Sequence, residues 1–454
     1  MYENEYYDDE PKNNSTLFKN DETSTIIKDL ITDEKLPTPF AICINGQWGE
    51  GKTSLLSCIH DKVKSHIQQE VGRNKNSRVL WFNAWEYERL DPVASLLFKI
   101  QEQYEDINNR FKETAKSVGT VLFDMAIRAH TNMSLEQVRG YFEKSVKSVS
   151  SIKEDLESLI KTGKLYIFID DLDRCLIEKT LEMLEALKIF LNAKNVIVIL
   201  AADVEKLERA WELRYNQQSP SSEGRDHLDK IFQLKISLPY KDEESMEEFI
   251  QSLHPSLPQN ELSLITAGCK NNPRKIKKVL NLLRFSRKFI NPGTPSDNSI
   301  VIMWYVISTV YYQFFKLVKE SNASLVTILI ILFQFRNFED AKNKLDNFMF
   351  REPQEKDHVI PLNENFRLPK DYIHHERADG LYPAKIYVGK TDLQMLALIK
   401  VDKPLFEFLY VCAGLLGIDK LDTSEDNIHS IFTSYRKEKI DKMDNIIRNL
   451  VVIS

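Results

Sequence analysis

The chain has 454 residues, 43% of them hydrophobic and 28% charged, and a net charge of −6. That length allows two or three domains with sizeable cores, and the acidic balance argues against indiscriminate binding to nucleic acid while leaving room for a local basic face. Five cysteines without C-x-x-C or metal-ligand spacing argue against a zinc module or a disulfide framework and read as reduced core thiols.

Residues 1–20 are polar and acidic with no apolar leader, and are expected to form a flexible tail on a cytoplasmic protein. From 21 to 240 helices alternate with short apolar strands. The predicted elements are helix Thr23–Ile31, strand Phe40–Ile44, helix Ser54–Val63, strand Val79–Asn83, helix Pro92–Tyr104, strand Leu165–Ile169, helix Glu178–Leu191, strand Val196–Leu200 and helix Val204–Trp211. Strands that are apolar throughout belong to a parallel sheet covered on both faces, so an α/β core is predicted over 21–240, with a mostly charged helical insertion at about 105–163. Residues 217–224 are polar and turn-rich and read as exposed.

Beyond Tyr240 the alternation stops. Residues 241–290 read as a small helical lid and 291–454 as a mainly helical region, with a long irregular stretch from Asn337 to Lys390. The uncharged run Ile300–Phe315 is shorter than the roughly 18–20 residues of a membrane span and carries Ser308, Thr309 and Gln313. It is expected to be a buried helix, with no membrane partner.

The densest chemistry lies at Gly46-Gln-Trp-Gly-Glu-Gly-Lys-Thr-Ser54, which fits G-x-x-x-x-G-K-[ST] between a predicted strand and a predicted helix. Gly46, Gly49 and Gly51, with Trp48, Glu50 and Ser54 around them, form a loop whose backbone N–H groups can turn onto phosphates at a helix N-terminus. Lys52 is expected to reach the β- and γ-phosphates and Thr53 to help hold Mg²⁺. With only 14 glycines in the chain, a chance match with the right flanks is a poor account of the motif.

A second element is Leu165-Tyr-Ile-Phe-Ile-Asp-Asp-Leu-Asp-Arg174, an apolar strand that ends in acids. At the C-terminal edge of the sheet Asp170 would hold Mg²⁺ and Asp171 would orient or deprotonate the attacking water. A bound cation offsets the cost of burying two carboxylates together. Asp203, closing strand Val196–Leu200, reads equally as a γ-phosphate sensor and as a helix cap. Trp48 and Trp85 are candidate walls of the site, with a core position the favoured reading for Trp85.

Between Lys270 and Lys288 there are eight Lys/Arg and no acid. Ile276, Val279, Leu280 and Leu283 make an apolar stripe beneath that basic face. Three readings compete: Arg274 reaches the nucleotide phosphates as a catalytic residue, the face binds nucleic acid, or the face is simply solvated.

These pieces together resemble the KAP family of P-loop NTPases, within the STAND-type ATPases. Besides the P-loop, they include Trp81-Phe-Asn-Ala-Trp-Glu86, Phe168-Ile-Asp-Asp-Leu-Asp-Arg174, Leu200-Ala-Ala-Asp203, Leu228-Asp-Lys-Ile-Phe-Gln233 leading into Leu238-Pro239, and Asn272-Pro-Arg-Lys-Ile-Lys277, in the family's order over roughly 20–290. The resemblance implies ATP–Mg²⁺ binding, slow or regulated hydrolysis, and coupling of nucleotide state to assembly with partners. Many family members carry membrane helices between the P-loop and the acidic strand. Here that interval is charged, so the chain resembles the soluble bacterial branch, some of which belongs to anti-phage defence operons such as the Qat type.

The expected function is therefore a soluble ATPase that switches partner interactions. A scaffold that binds ATP without turning it over and a nucleic-acid-stimulated ATPase are the alternatives. Expected partners are proteins bound through 291–454, with nucleic acid along 270–288 and self-association as further options. ATP is favoured over GTP because no N-K-x-D sequence follows the P-loop.

Overall fold

The computed structural model describes residues 6–9, 17–69, 76–88, 92–104, 163–215, 223–270, 272–286, 295–320, 337–349, 358–361, 385–388 and 390–415, with single residues in 153–160 and 325–332. Residues 105–152 of the predicted insertion, residues 217–222 of the polar stretch, most of residues 1–20 and the far C-terminus lie outside the described residues. The chain forms two compact units, 10–241 and 242–454, the second joined by residues 1–9.

The first unit is built on five parallel strands: β1 (Phe40–Asn45), β2 (Arg78–Asn83), β3 (Leu165–Asp170), β4 (Val196–Ala202) and β5 (Leu234–Ser237), in the order β2-β3-β4-β1-β5. Four follow the predicted apolar runs. The fifth was not predicted: it is short, partly exposed and pairs only with β1 at the sheet edge, so little apolar periodicity marks it. Register aligns Asn45 with Ala202 and Asn83 with Asp170, which brings the polar strand ends to one edge of the sheet.

The central strands bury both faces, as parallel strands in α/β proteins do. Alternate residues feed two separate cores. On one face Ile42, Phe168 and Ile199 pack beneath α1 (Asn20–Thr32) and α2 (Lys52–Gln69), which contribute Ile27, Leu55 and Ile59. On the other, Cys43, Ile167 and Val198 meet α3 (Pro92–Glu102), α4 (Ile177–Phe190), α5 (Val204–Tyr215) and α6 (Glu223–Ile231). Each fully buried aliphatic side chain contributes about 1.5–3 kcal/mol, so the strand ends have a stiff base.

The second unit contains α7 (Glu243–Leu253), α8 (Gln259–Cys269), α9 (Pro273–Ser286), α10 (Pro295–Val310), α11 (Tyr312–Glu320), α12 (Phe338–Met349), α13 (Lys390–Val401) and α14 (Lys403–Leu415). Helix α8 packs on α10 and α14, so the predicted lid and the region after it share one body. Gly268 is the point of closest approach: a Cβ there would lie 2.3 Å from Val306 Cγ1 and 2.7 Å from Phe408 Cε2.

The apolar run at 300–315 divides into α10 and α11, bent by 117°. Ile302, Trp304 and Tyr305 are buried, and among the described residues no single helix is long and apolar enough to cross a membrane. The stretch predicted as irregular contains α12 and an antiparallel pair, β6 (His358–Pro361) with β7 (Lys385–Val388). The amphipathic spacing of Phe338, Ala341 and Leu345 was hidden by the polar residues among them. All five cysteines are free, and four are buried.

Candidate functional site

The P-loop follows directly from β1. Asn45 ends the strand, Gly49 and Gly51 take φ of 86° and 101°, and Lys52 begins α2. Both glycines occupy the left-handed region that a side chain disfavours. Gly46 meets a different constraint: a Cβ there would come within 2.6 Å of Leu238 Cδ1, so that side chain would have to shift. Glu50 braces the loop from inside, its Oε2 accepting from the Gln47 backbone N–H at 2.7 Å. Trp48 stands out from the loop, 47% exposed, and Thr53 and Ser54 lie in the first turn of α2.

Lys52 is buried within this loop. Its Nζ donates to Gly46 O at 2.9 Å and Gln47 O at 3.3 Å, and meets Asp173 Oδ2 at 3.3 Å. Their side chains are 9% and 2% exposed. Asp173 was not singled out in the sequence, where attention stops at the first two acids. It comes back to Lys52 because the chain leaves β3 through Asp171 at φ 58°, ψ 23° and tightens into a 3-10 turn at Leu172–Arg174. Asp173 Oδ2 also accepts from the Asp203 backbone N–H at 3.2 Å, so it joins the ends of β3 and β4 to the P-loop lysine.

Asp170 is buried at the end of β3. Burial and, after it, the charge of Asp171 push its carboxyl up to about 6, although the Thr53 hydroxyl, the Asp171 N–H and Arg174 pull the other way. The Asp171 N–H donates to Asp170 Oδ1 at 3.0 Å. The Asp171 carboxylate is held from two sides, by Asn83 Nδ2 at 3.4 Å and Arg174 Nε at 2.9 Å. Strand order explains the spacing: β4 lies between β1 and β3, so the acids reach the P-loop across the end of β4.

At that end Asp203 accepts at Oδ1 from the Lys206 N–H at 3.4 Å, and the Val204 N–H donates to Asn45 Oδ1 at 3.1 Å. Of the two readings left open for Asp203, the cap is the one with a bond behind it. Trp85 departs from its expected core position. It is 52% exposed, on a 3-10 turn after β2, with the Arg174 guanidinium 5.9 Å from its ring. An indole tolerates that position because its face accepts a cation while its edge stays wet.

Arg274 lies in the helical unit. Its Nε pairs with Asp9 Oδ1 at 2.6 Å, so this part of the basic face is not simply solvated. Among the described residues no cluster of three or more His, Cys, Asp or Glu is set to bind a metal. Metal binding here would rest on a mixed set, the Thr53 hydroxyl and the Asp170 carboxylate, already hydrogen-bonded to each other.

Three solved structures to which this chain is similar share little sequence with it. The Aeropyrum pernix ORC2 protein in ADPNP–ADP complexes is 14% identical with a TM-score of 0.38, covering 72% of this chain and 76% of that one. Drosophila ORC bound to DNA is 13% identical with a TM-score of 0.30, over 65% and 75%. C. elegans PCH-2 is 10% identical with a TM-score of 0.29, over 65% and 69%. Comparison with curated protein sequences returned no match. The model of the KAP family P-loop domain, however, matches residues 20–290, more than half the chain and all of the loop, strand ends and acids described above. The chain belongs to the KAP family of P-loop NTPases.

Proposed function

We propose that this protein binds ATP with Mg²⁺, hydrolyses it, and uses nucleotide state to switch contacts made through its helical unit. The observation that carries the reading is the buried Lys52 ammonium, held by two P-loop carbonyls and facing the acids that end β3. The donor set suits the ligand. Lys52 and the loop N–H groups match polyphosphate, and the Thr53–Asp170 oxygens are the hard donors Mg²⁺ takes alongside phosphates and water. Bound Mg²⁺ supplies charge neutralisation at the phosphoryl oxygens.

The chain's own groups divide the remaining work. Lys52 binds and orients the terminal phosphates. Asp171, held by Asn83 and Arg174, positions the attacking water and takes its proton at the carboxylate. Arg274 enters this reading as a further donor to the phosphates, through guanidinium N–H groups beyond the Nε that meets Asp9. The resemblance to the soluble bacterial branch supports an anti-phage role, which survival of phage challenge by cells carrying Lys52→Ala would test.

The biochemical test is ATP binding and phosphate release by wild type, Lys52→Ala and Asp171→Asn. Lys52→Ala should lose measurable ATP binding. Asp171→Asn should keep it while turnover falls about 10²–10⁴-fold. Normal turnover in either variant would refute the assignment, and wild-type binding without turnover would favour the scaffold reading.

A further inference from the structure

The basic helix α9 already carries an occupant, residues 6–9 of the same chain. The Asn281 side-chain amide clasps the backbone of Tyr7 from both sides: the Tyr7 N–H donates to Asn281 Oδ1 at 2.8 Å, and Asn281 Nδ2 donates to Tyr7 O at 2.8 Å. The Tyr7 ring lies under the Arg284 guanidinium, 4.0 Å from Cζ to the ring centre. Its hydroxyl donates to Leu253 O at the end of α7 and accepts from Arg284 Nη2. Beyond the tyrosine, Lys277 Nζ donates to Asp8 O at 3.0 Å, and Asp9 pairs with Arg274. Tyr6, by contrast, faces outward.

This is the chemistry of a peptide receptor more than of a phosphate site. Asn281 matches the donor and acceptor of one extended residue, and a polyphosphate has no donor to offer it. Leu253 O needs a hydroxyl proton and would repel an anion. Arg284 reads an aromatic face, and only the far end, at Arg274 and Lys277, reads negative charge.

We propose that the α7–α9 surface is a docking site for an extended tyrosine–acid–acid peptide, filled in cis by residues 6–9 and available to an acidic, tyrosine-bearing segment of a partner protein when those residues leave. The cis segment then acts as a plug. It competes at the high effective concentration of a tethered ligand, and a partner's segment succeeds by matching the tyrosine and by avidity from contacts elsewhere.

The test uses the full chain and needs no nucleotide. A fluorescent peptide of residues 1–12 is titrated against wild type, Tyr7→Ala, and Tyr7→Ala with Asn281→Ala. Tyr7→Ala removes the plug's anchor, and a circular dichroism spectrum and melting curve like those of wild type show that the fold is kept. The peptide should bind this variant about tenfold or more tighter than it binds wild type. Asn281→Ala should remove the gain, and a peptide carrying alanine in place of its Tyr7 should not bind. No binding to the Tyr7→Ala variant, or binding indifferent to Asn281, would overturn the proposal. A labelled DNA duplex that binds this variant where the peptide does not would overturn it in favour of nucleic acid.

Discussion

Lys52 and Arg274 each meet an aspartate, in two regions that treat charge in opposite ways. The Lys52–Asp173 pair is enclosed, with side chains 9% and 2% exposed, and every neighbour is fixed by strand ends or loop backbone. The Arg274–Asp9 pair is open, at 22% and 61%, and one partner belongs to a short terminal segment. Burial makes the first pair costly to assemble and costly to break, because either member left alone keeps its desolvation penalty. Exposure makes the second cheap on both counts. In one region charge fixes geometry, and in the other it selects an occupant that can leave.

The largest test of that contrast is Asp173→Asn. The amide keeps an oxygen for the Asp203 N–H but leaves the Lys52 ammonium uncompensated, apart from its carbonyls. Urea unfolding should show a loss of about 3 kcal/mol. A loss under about 1 kcal/mol would mean that the pair behaves like a surface one.

A second effect of similar size comes from Asp170. Its carboxyl titrates at about 6 in the fold, against an ordinary 3.8. The folded protein therefore holds this proton more tightly than the unfolded chain does, and nucleotide-free stability should fall as pH rises from about 4 through 6. The contribution is about 2–3 kcal/mol. It should vanish in Asp170→Asn, as denaturation midpoints across that range would show.

Gly268→Ala sharpens the comparison from the packing side. Its new methyl would press on Val306 and Phe408 between α8, α10 and α14, destabilising the helical unit by about 1–3 kcal/mol. ATP affinity should stay unchanged if the first unit alone holds the nucleotide. Arg274→Ala is the smallest, at most about 1 kcal/mol. Its effect should disappear in 1 M salt, where the Debye length is about 3 Å, while that of Asp173→Asn persists.

The sequence disclosed what local pattern and motif carry. Strands β1 to β4 are apolar runs, the P-loop is a contiguous motif, and the stripe Ile276, Val279, Leu280, Leu283 has helical spacing and is buried. Strand order was not legible, because pairing between distant segments leaves no periodicity in either. Asp173 was missed for a related reason. Its partner is 121 residues away, and its approach depends on one left-handed residue, Asp171. The available signal was a third acid beside an apolar Leu172, where a solvated turn would not need one. Trp85 was misjudged because size and hydrophobicity suggested burial, whereas a cation on its face makes exposure tolerable. Polarity alone made residues 6–9 look like tail, since nothing local records an asparagine waiting on α9.

That last contact sets an order of events during synthesis. Tyr7 and Asn281 are 274 positions apart. At about 5–20 residues per second, the amino-terminal segment emerges from the ribosome roughly 14–55 s before its seat exists. Through that interval the nascent chain carries an unclaimed acidic, aromatic segment, while residues 10–241 have time to collapse on their own. The helical unit is thus finished by a segment made before any of its helices.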